Sequence, residues 1–93
     1  MSALGDDHPA FKREVFRITR RLETPTGDLT FCARVAEYRR TRDYRGGLYA
    51  ELWCLDTEEC IDDGRETDYS EVFSDVCRNL IDSWKEELQE NGV

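Results

Sequence analysis

The stretch Leu29–Leu55, LTFCARVAEYRRTRDYRGGLYAELWCL, decides the fold. In its first half Leu29, Phe31, Ala33 and Val35 alternate with Thr30, Cys32, Arg34, Ala36, Tyr38 and Arg40. Period two is the mark of a strand with two unlike faces. In its second half Leu48, Ala50, Leu52 and Cys54 alternate with Tyr49, Glu51 and Trp53, so a second strand follows. Between them TRDYRGG ends in two glycines, which take positive φ at little steric cost. Working back toward the N-terminus, EVFRITRRLE repeats the pattern, with Phe16, Ile18 and Leu22 on one face and Val15, Arg17, Thr19 and Arg21 on the other. The link TPTGD carries Pro25 and Gly27 and reads as a turn. Short links between strands favour an antiparallel meander.

Working forward, DTEECIDDGRET is dense in acids, contains a glycine and reads as an exposed loop. Asp68 and Glu71 then have the spacing of a capping box, which satisfies helix-start amides reciprocally. From there Tyr69, Phe73, Val76, Cys77, Leu80, Ile81, Trp84 and Leu88 recur every three or four residues, the apolar stripe of an amphipathic helix. Gly92 stands where a left-handed terminator is useful. A helix of about twenty residues is roughly 30 Å long and can lie across three strands. The expected fold class is therefore α+β, a three-stranded antiparallel meander with a long C-terminal helix packed on one face. Residues 1–10 are expected to form a flexible N-terminal arm, and residues 11–93 a single β-β-β-α domain.

Ninety-three residues suffice for one small core. No apolar run approaches the roughly 20 residues that span a bilayer, and MSALGDDHPAF lacks the basic and apolar regions of a secretion signal. The chain is therefore expected to be soluble and cytoplasmic.

The net charge of −8 is unevenly spread. Met1–Trp53 holds ten Lys and Arg against eight Asp and Glu, a net +2, whereas Cys54–Val93 holds three against thirteen, a net −10. Eleven of the thirteen basic residues are arginine, the type suited to planar contacts with carboxylates, phosphates and rings. A helix covering one sheet face leaves the other uncovered. That second face is expected to carry Arg13, Val15, Arg17, Arg21, Cys32, Arg34, Tyr38, Arg40, Tyr49 and Trp53. Arginines among aromatics on an open sheet have the chemistry that holds single-stranded nucleic acid. Tyr, Trp and Arg are also the types that dominate protein interfaces, and a self-complementary patch there would permit a homodimer. The plain alternative is a solvated face whose arginines pair with Glu14, Glu37 and Glu51.

The residues argue against an enzyme. The single histidine, His8, lies in the expected arm, and no glycine-rich phosphate loop or Ca²⁺-loop spacing is present. Cys32, Cys54, Cys60 and Cys77 are separated by 22, 6 and 17 positions, without the close pairs that zinc sites use. No metal and no cofactor is expected, and Cys54 and Cys77 read as small apolar residues. A Cys54–Cys60 link would need an oxidising compartment.

The acidic half carries the leading reading. Glu71, Asp75, Asp82 and Glu86 lie on the outer helix face with only Arg78 and Lys85 among them, and Asp62 and Asp63 lie in the preceding segment. Like charges four residues apart in a helix cost a few tenths of a kcal/mol each, which a partner's basic surface would reverse. The expected function is a non-enzymatic protein-binding module. Its acidic helix and loop (Asp62, Asp63, Glu71, Asp75, Asp82, Glu86) would engage a basic, nucleic-acid-binding surface of a partner. The alternative is a small single-stranded nucleic-acid-binding protein using Arg17, Arg34, Tyr38, Arg40, Tyr49 and Trp53. In size, charge and lack of a catalytic site the chain resembles phage-encoded inhibitors of host defence, including anti-CRISPR proteins and DNA mimics. A basic groove most often serves nucleic acid, so a protein that occupies it is expected to act as a competitive inhibitor.

Overall fold

A computed structural model describes residues 8–91. Four strands run in order, β1 (Phe11–Thr24), β2 (Gly27–Tyr38), β3 (Gly47–Cys54) and β4 (Glu59–Thr67), followed by one helix, α1 (Phe73–Asn91). The strands form a single sheet of order β1-β2-β3-β4, antiparallel throughout. The antiparallel meander and the C-terminal helix are as expected, but the sheet has four strands and not three. The expected exposed loop DTEECIDDGRET supplies the fourth. Its period is hidden because Ile61 is its one large apolar side chain, and because two register shifts opposite Ala50–Trp53 break the alternation. Gly64 sits in this irregular stretch at φ +91°. Edge strands tolerate such a composition, since acids and bulges on a free edge discourage pairing with another chain.

Pro25 and Thr26 make a two-residue link between Thr24 and Gly27, which pair directly. The loop between β2 and β3 closes through Gly46 and Gly47, both at positive φ, as their placement suggested. Gly46 is irreplaceable on steric grounds also, because a Cβ there would lie 2.7 Å from the Arg40 backbone nitrogen.

The core is the expected one. Phe31, Ala33, Val35, Leu48, Ala50, Leu52 and Cys54 from the sheet pack against Cys77, Leu80 and Ile81 of α1, all buried. Phe16, Ile18, Leu22, Phe73, Val76 and Trp84 border this cluster. Two phase assignments need correction in β1. A register shift between Glu14 and Phe16 makes Val15 an extra residue, and it packs on the helix side of the sheet. Arg13 is likewise off the second face, since it pairs with Glu37, whose β3 partner Leu48 belongs to the helix-side core.

The helix begins later than its apolar stripe implied. The amides of Asp75 and Val76 both donate to the Val72 carbonyl, which sets the first turn at Val72. Asp68 and Glu71 form only half of the expected box: the Asp68 amide donates to the Glu71 carboxylate at 3.0 Å, but the Asp68 carboxylate accepts from the Ser70 amide at 2.8 Å, and the turn lies ahead of the helix. Tyr69 therefore lies outside α1 and is exposed, its hydroxyl donating to Glu37 at 3.1 Å. Gly92, the expected terminator, lies outside the described residues, as do residues 1–7 of the expected arm. The backbone of α1 approaches β1, β2 and β3 but not β4, so a cleft separates the helix from the edge strand. No helix among the described residues is long and apolar enough to cross a membrane.

Candidate functional site

The second sheet face is not the open surface that its alternation implied. Cys32, Arg34 and Ala36 are fully buried, and Tyr38 and Glu51 nearly so. Residues 8–10 and the β2–β3 loop fold over one end of this face. The Ala10 carbonyl accepts from the Arg39 amide at 2.6 Å, and Ala10 is buried with Ala36 and Tyr38 beside Phe11, Tyr44 and Tyr49. The His8 ring stands 5.7 Å from Tyr38 and 5.3 Å from Tyr44, and its Nδ1 accepts from the Ala10 amide at 3.0 Å. Alternation could assign these residues to a face, but it could not show what covers that face.

Beneath this cover lies a buried polar network. Arg34, Glu51 and Arg17 occupy adjacent positions across β1, β2 and β3, because Arg34 is paired with both of the others. Arg34 Nε donates to Glu51 Oε1 at 2.9 Å, and its Nη1 lies 3.4 Å from Glu14 Oε2. Trp53 Nε1 donates to the same Glu51 Oε1 at 3.0 Å, and the Tyr38 hydroxyl donates to Glu51 Oε2. The Arg34 guanidinium also lies 5.2 Å from the Phe11 ring centroid, within cation–π range. Burial pushes the Tyr38 hydroxyl well above its ordinary pKa, and its bond to Glu51 pushes the same way. Tyr38 thus remains a donor at any physiological pH. Glu14 also holds Arg17 at 2.7 Å, which separates two arginines that stand directly opposite each other.

The six residues of the alternative sheet-face reading are placed accordingly. Arg34 and Tyr38 are buried inside the network. Trp53 and Tyr49 are half-buried, with Trp53 bonded to Glu51 and the Tyr49 hydroxyl donating to the Gly46 carbonyl at 2.8 Å. Arg17 is exposed and paired, and Arg40 is exposed beyond the end of β2. Arg17, Arg34, Tyr38 and Trp53 are brought together, but as a structural network with the carboxylates of Glu14 and Glu51, which Tyr49 and Arg40 do not join. Cross-strand register was the sequence signal for it: Arg34 opposite Glu51 is an ion pair waiting to be read.

The six acidic residues divide into two groups. Glu71 is engaged by the Thr67 hydroxyl and the Asp68 amide, and Asp75 is paired with Arg78. Asp62 accepts from the Gly64 amide at 3.2 Å and lies 3.7 Å from Arg65. By contrast, no hydrogen bond or ion pair among the described residues engages the side chains of Asp63, Asp82, Glu86 or Glu87. The structure gathers Asp62, Asp63 and Glu86 around the cleft between β4 and α1, and adds Glu87, which sequence reasoning did not single out. Glu71, Asp75 and Asp82 lie away from it. The cleft encloses about 580 Å³ at this acidic end, where Leu52, Ile61, Leu80 and Trp84 form its floor. It continues past Ile61 and Trp84 into a second hollow of about 300 Å³, lined by Pro25, Leu29, Phe31 and Leu88. The Trp84 indole N–H is buried here and has no acceptor among the described residues.

All four cysteines are free, and only Cys60 is exposed. Cys54 belongs to the helix-side core while Cys60 pairs with Trp53 on the other face, so the two thiols point apart. Burial raises the thiol pKa of Cys32 and of Cys60, and lifts that of Cys77 to about 11. Among the described residues no group of three or more His, Cys, Asp or Glu is placed to share a metal ion.

Comparison of the chain with protein-family models, with curated proteins and with solved structures returned no match in any of the three.

Proposed function

We propose that this chain is a non-enzymatic binding module that engages a basic surface of another protein through the acidic side formed by β4 and α1. One observation carries the reading: the side chains of Asp63, Asp82, Glu86 and Glu87 have no partner among the described residues, whereas Arg17 and Arg34 of the sheet face are already answered by Glu14 and Glu51. Carboxylates held on a rigid helix and strand without internal counter-charges raise the encounter rate with a cationic partner, and salt weakens that attraction over a Debye length of about 10 Å at 0.1 M. A basic protein groove commonly serves nucleic acid, so occupying it makes the module a competitive inhibitor, in the manner of DNA mimics and anti-CRISPR proteins. Four free thiols suit a reducing compartment such as the cytoplasm.

Affinity capture with the wild type and with a triple variant (Asp63→Lys, Asp82→Lys, Glu86→Lys) tests the reading. Basic proteins should be retained by the wild type, released by salt and lost with the variant. Capture of the same proteins by both would sink it. A gel shift with single-stranded DNA and RNA at moderate salt is expected to show no complex, and a shift abolished by Arg17→Glu and Arg40→Glu would restore the nucleic-acid alternative.

A further inference from the structure

We infer that the cleft between β4 and α1 is a docking groove for a short segment of a partner protein bearing one large apolar side chain next to arginine or lysine. The inference rests on the reading above and narrows it from a charged surface to a shaped site. Three features of the cleft specify this occupant.

The first is the division of its lining. The hollow beyond Trp84 is walled by Leu29, Phe31, Ile61 and Leu88, an apolar receptacle at the end of the sheet. The larger end is rimmed by Asp62, Asp63, Glu86 and Glu87, with Arg65 as the one basic residue, and Arg65 already lies beside Asp62. An apolar group alone would leave three carboxylates, Asp63, Glu86 and Glu87, unanswered, and a cation alone would leave the hollow unfilled. A segment that carries both satisfies both ends, and the long stem of arginine or lysine can lie over Trp84 while its charge stays at the rim.

The second is size. Together the two hollows fall within the range of about 300–1,000 Å³ typical of pre-formed ligand clefts. The cleft exists because α1 covers β1, β2 and β3 and stops short of β4, so it requires no rearrangement to open.

The third is the edge of the sheet. A partner strand added beside β4 would have to follow two register shifts and the backbone of Gly64, and so meets an irregular ladder. The occupant therefore lies over the helix-side face of β4 and not along its edge. Asp62 is on that face, since it pairs with Leu52 of the core.

The test is selection of short random displayed peptides against the full chain, followed by titration of the enriched peptides into ¹⁵N-labelled protein. Enriched peptides should combine a large apolar residue with arginine or lysine, and binding should shift the Trp84 indole resonance. Replacing the apolar residue of the peptide by alanine should weaken binding roughly tenfold. Asp63→Lys with Glu87→Lys, both exposed positions, should weaken it at least as much while leaving the thermal midpoint near that of the wild type. Leu88→Glu should remove the preference for the apolar residue and spare the preference for the basic one. Basic peptides that bind without any apolar requirement, or that respond to Asp82→Lys and not to Asp63→Lys with Glu87→Lys, would overturn the groove and leave the acidic-surface reading standing. Failure to enrich basic peptides at all would overturn both.

Discussion

Arg34 and Glu51 face each other across β2 and β3, Nε to Oε1 at 2.9 Å, with both side chains withdrawn from solvent. Glu51 is the hub, because Tyr38 and Trp53 also donate to it. Removing one member of a buried ion pair leaves the other desolvated, at a cost of about 3–5 kcal/mol. Glu51→Ala should reach the upper part of that range, since three donors lose their acceptor at once. Arg34→Met should cost less than Glu51→Ala, because Tyr38 and Trp53 keep theirs. Urea unfolding of the two variants and of the double variant measures this, and additive effects would show that the pair is not coupled.

The helix stripe and the Phe31–Val35 alternation were legible because their periods match the two apolar faces that pack against each other. β4 was not legible, because a lone Ile61 among acids carries no period and the two shifts opposite Ala50–Trp53 erase what remains. Val15 was misplaced for a related reason: an inserted residue flips the parity of everything before it, and alternation counted along one strand cannot detect the insertion. Arg34 illustrates a different limit. Its face was assigned correctly, but its burial depends on Ala10 and Tyr44 folding over that face from segments without any period of their own. The acidic cleft was half legible. Asp62, Asp63 and Glu86 were read as charges, while the hollow beside them arises from where the helix stops.

Trp84 tests the helix phase. Its ring meets the edge of Phe31 with centroids 6.3 Å apart, and its other side borders the cleft. Trp84→Ala should destabilise the protein by about 3 kcal/mol, at the low end for a truncated core aromatic because one side of the ring is open. Trp84→Phe should stay within about 1 kcal/mol of wild type, since the lost indole N–H had no acceptor to leave behind. A Trp84→Ala cost under about 1 kcal/mol would place the indole outside the core.

The thiols offer a chemical test of the sheet. Cys60 is exposed, whereas Cys32, Cys54 and Cys77 are buried. Iodoacetamide at mildly alkaline pH should label Cys60 alone in the native protein, and all four after unfolding. Labelling should be slow, because burial and then the nearby Glu51 carboxylate raise the Cys60 thiol pKa and reduce its thiolate. Mass spectrometry of the digest reads the sites. Native labelling of Cys77 would contradict the packing of α1 on the sheet.

Acid should act through Glu37 and Asp68. Arg13 holds the Glu37 carboxylate below its ordinary pKa by a 2.7 Å bond, with Tyr69 and Lys12 helping, and Ser70 does the same for Asp68. A carboxylate whose pKa is lower in the folded state than in the unfolded one contributes stability above the unfolded value, near pH 4, and loses it as pH falls through the folded value. Glu37→Gln should therefore be less stable than the wild type at neutral pH, with the gap closing as the pH falls below about 4. Asp68→Asn should behave likewise. Both positions are at the surface, so the differences will be modest and reduced by salt. Urea midpoints from pH 7 down to pH 2 measure the two gaps. Wild-type and variant curves that run parallel through that window would mean that neither bond discriminates the charged from the neutral carboxyl.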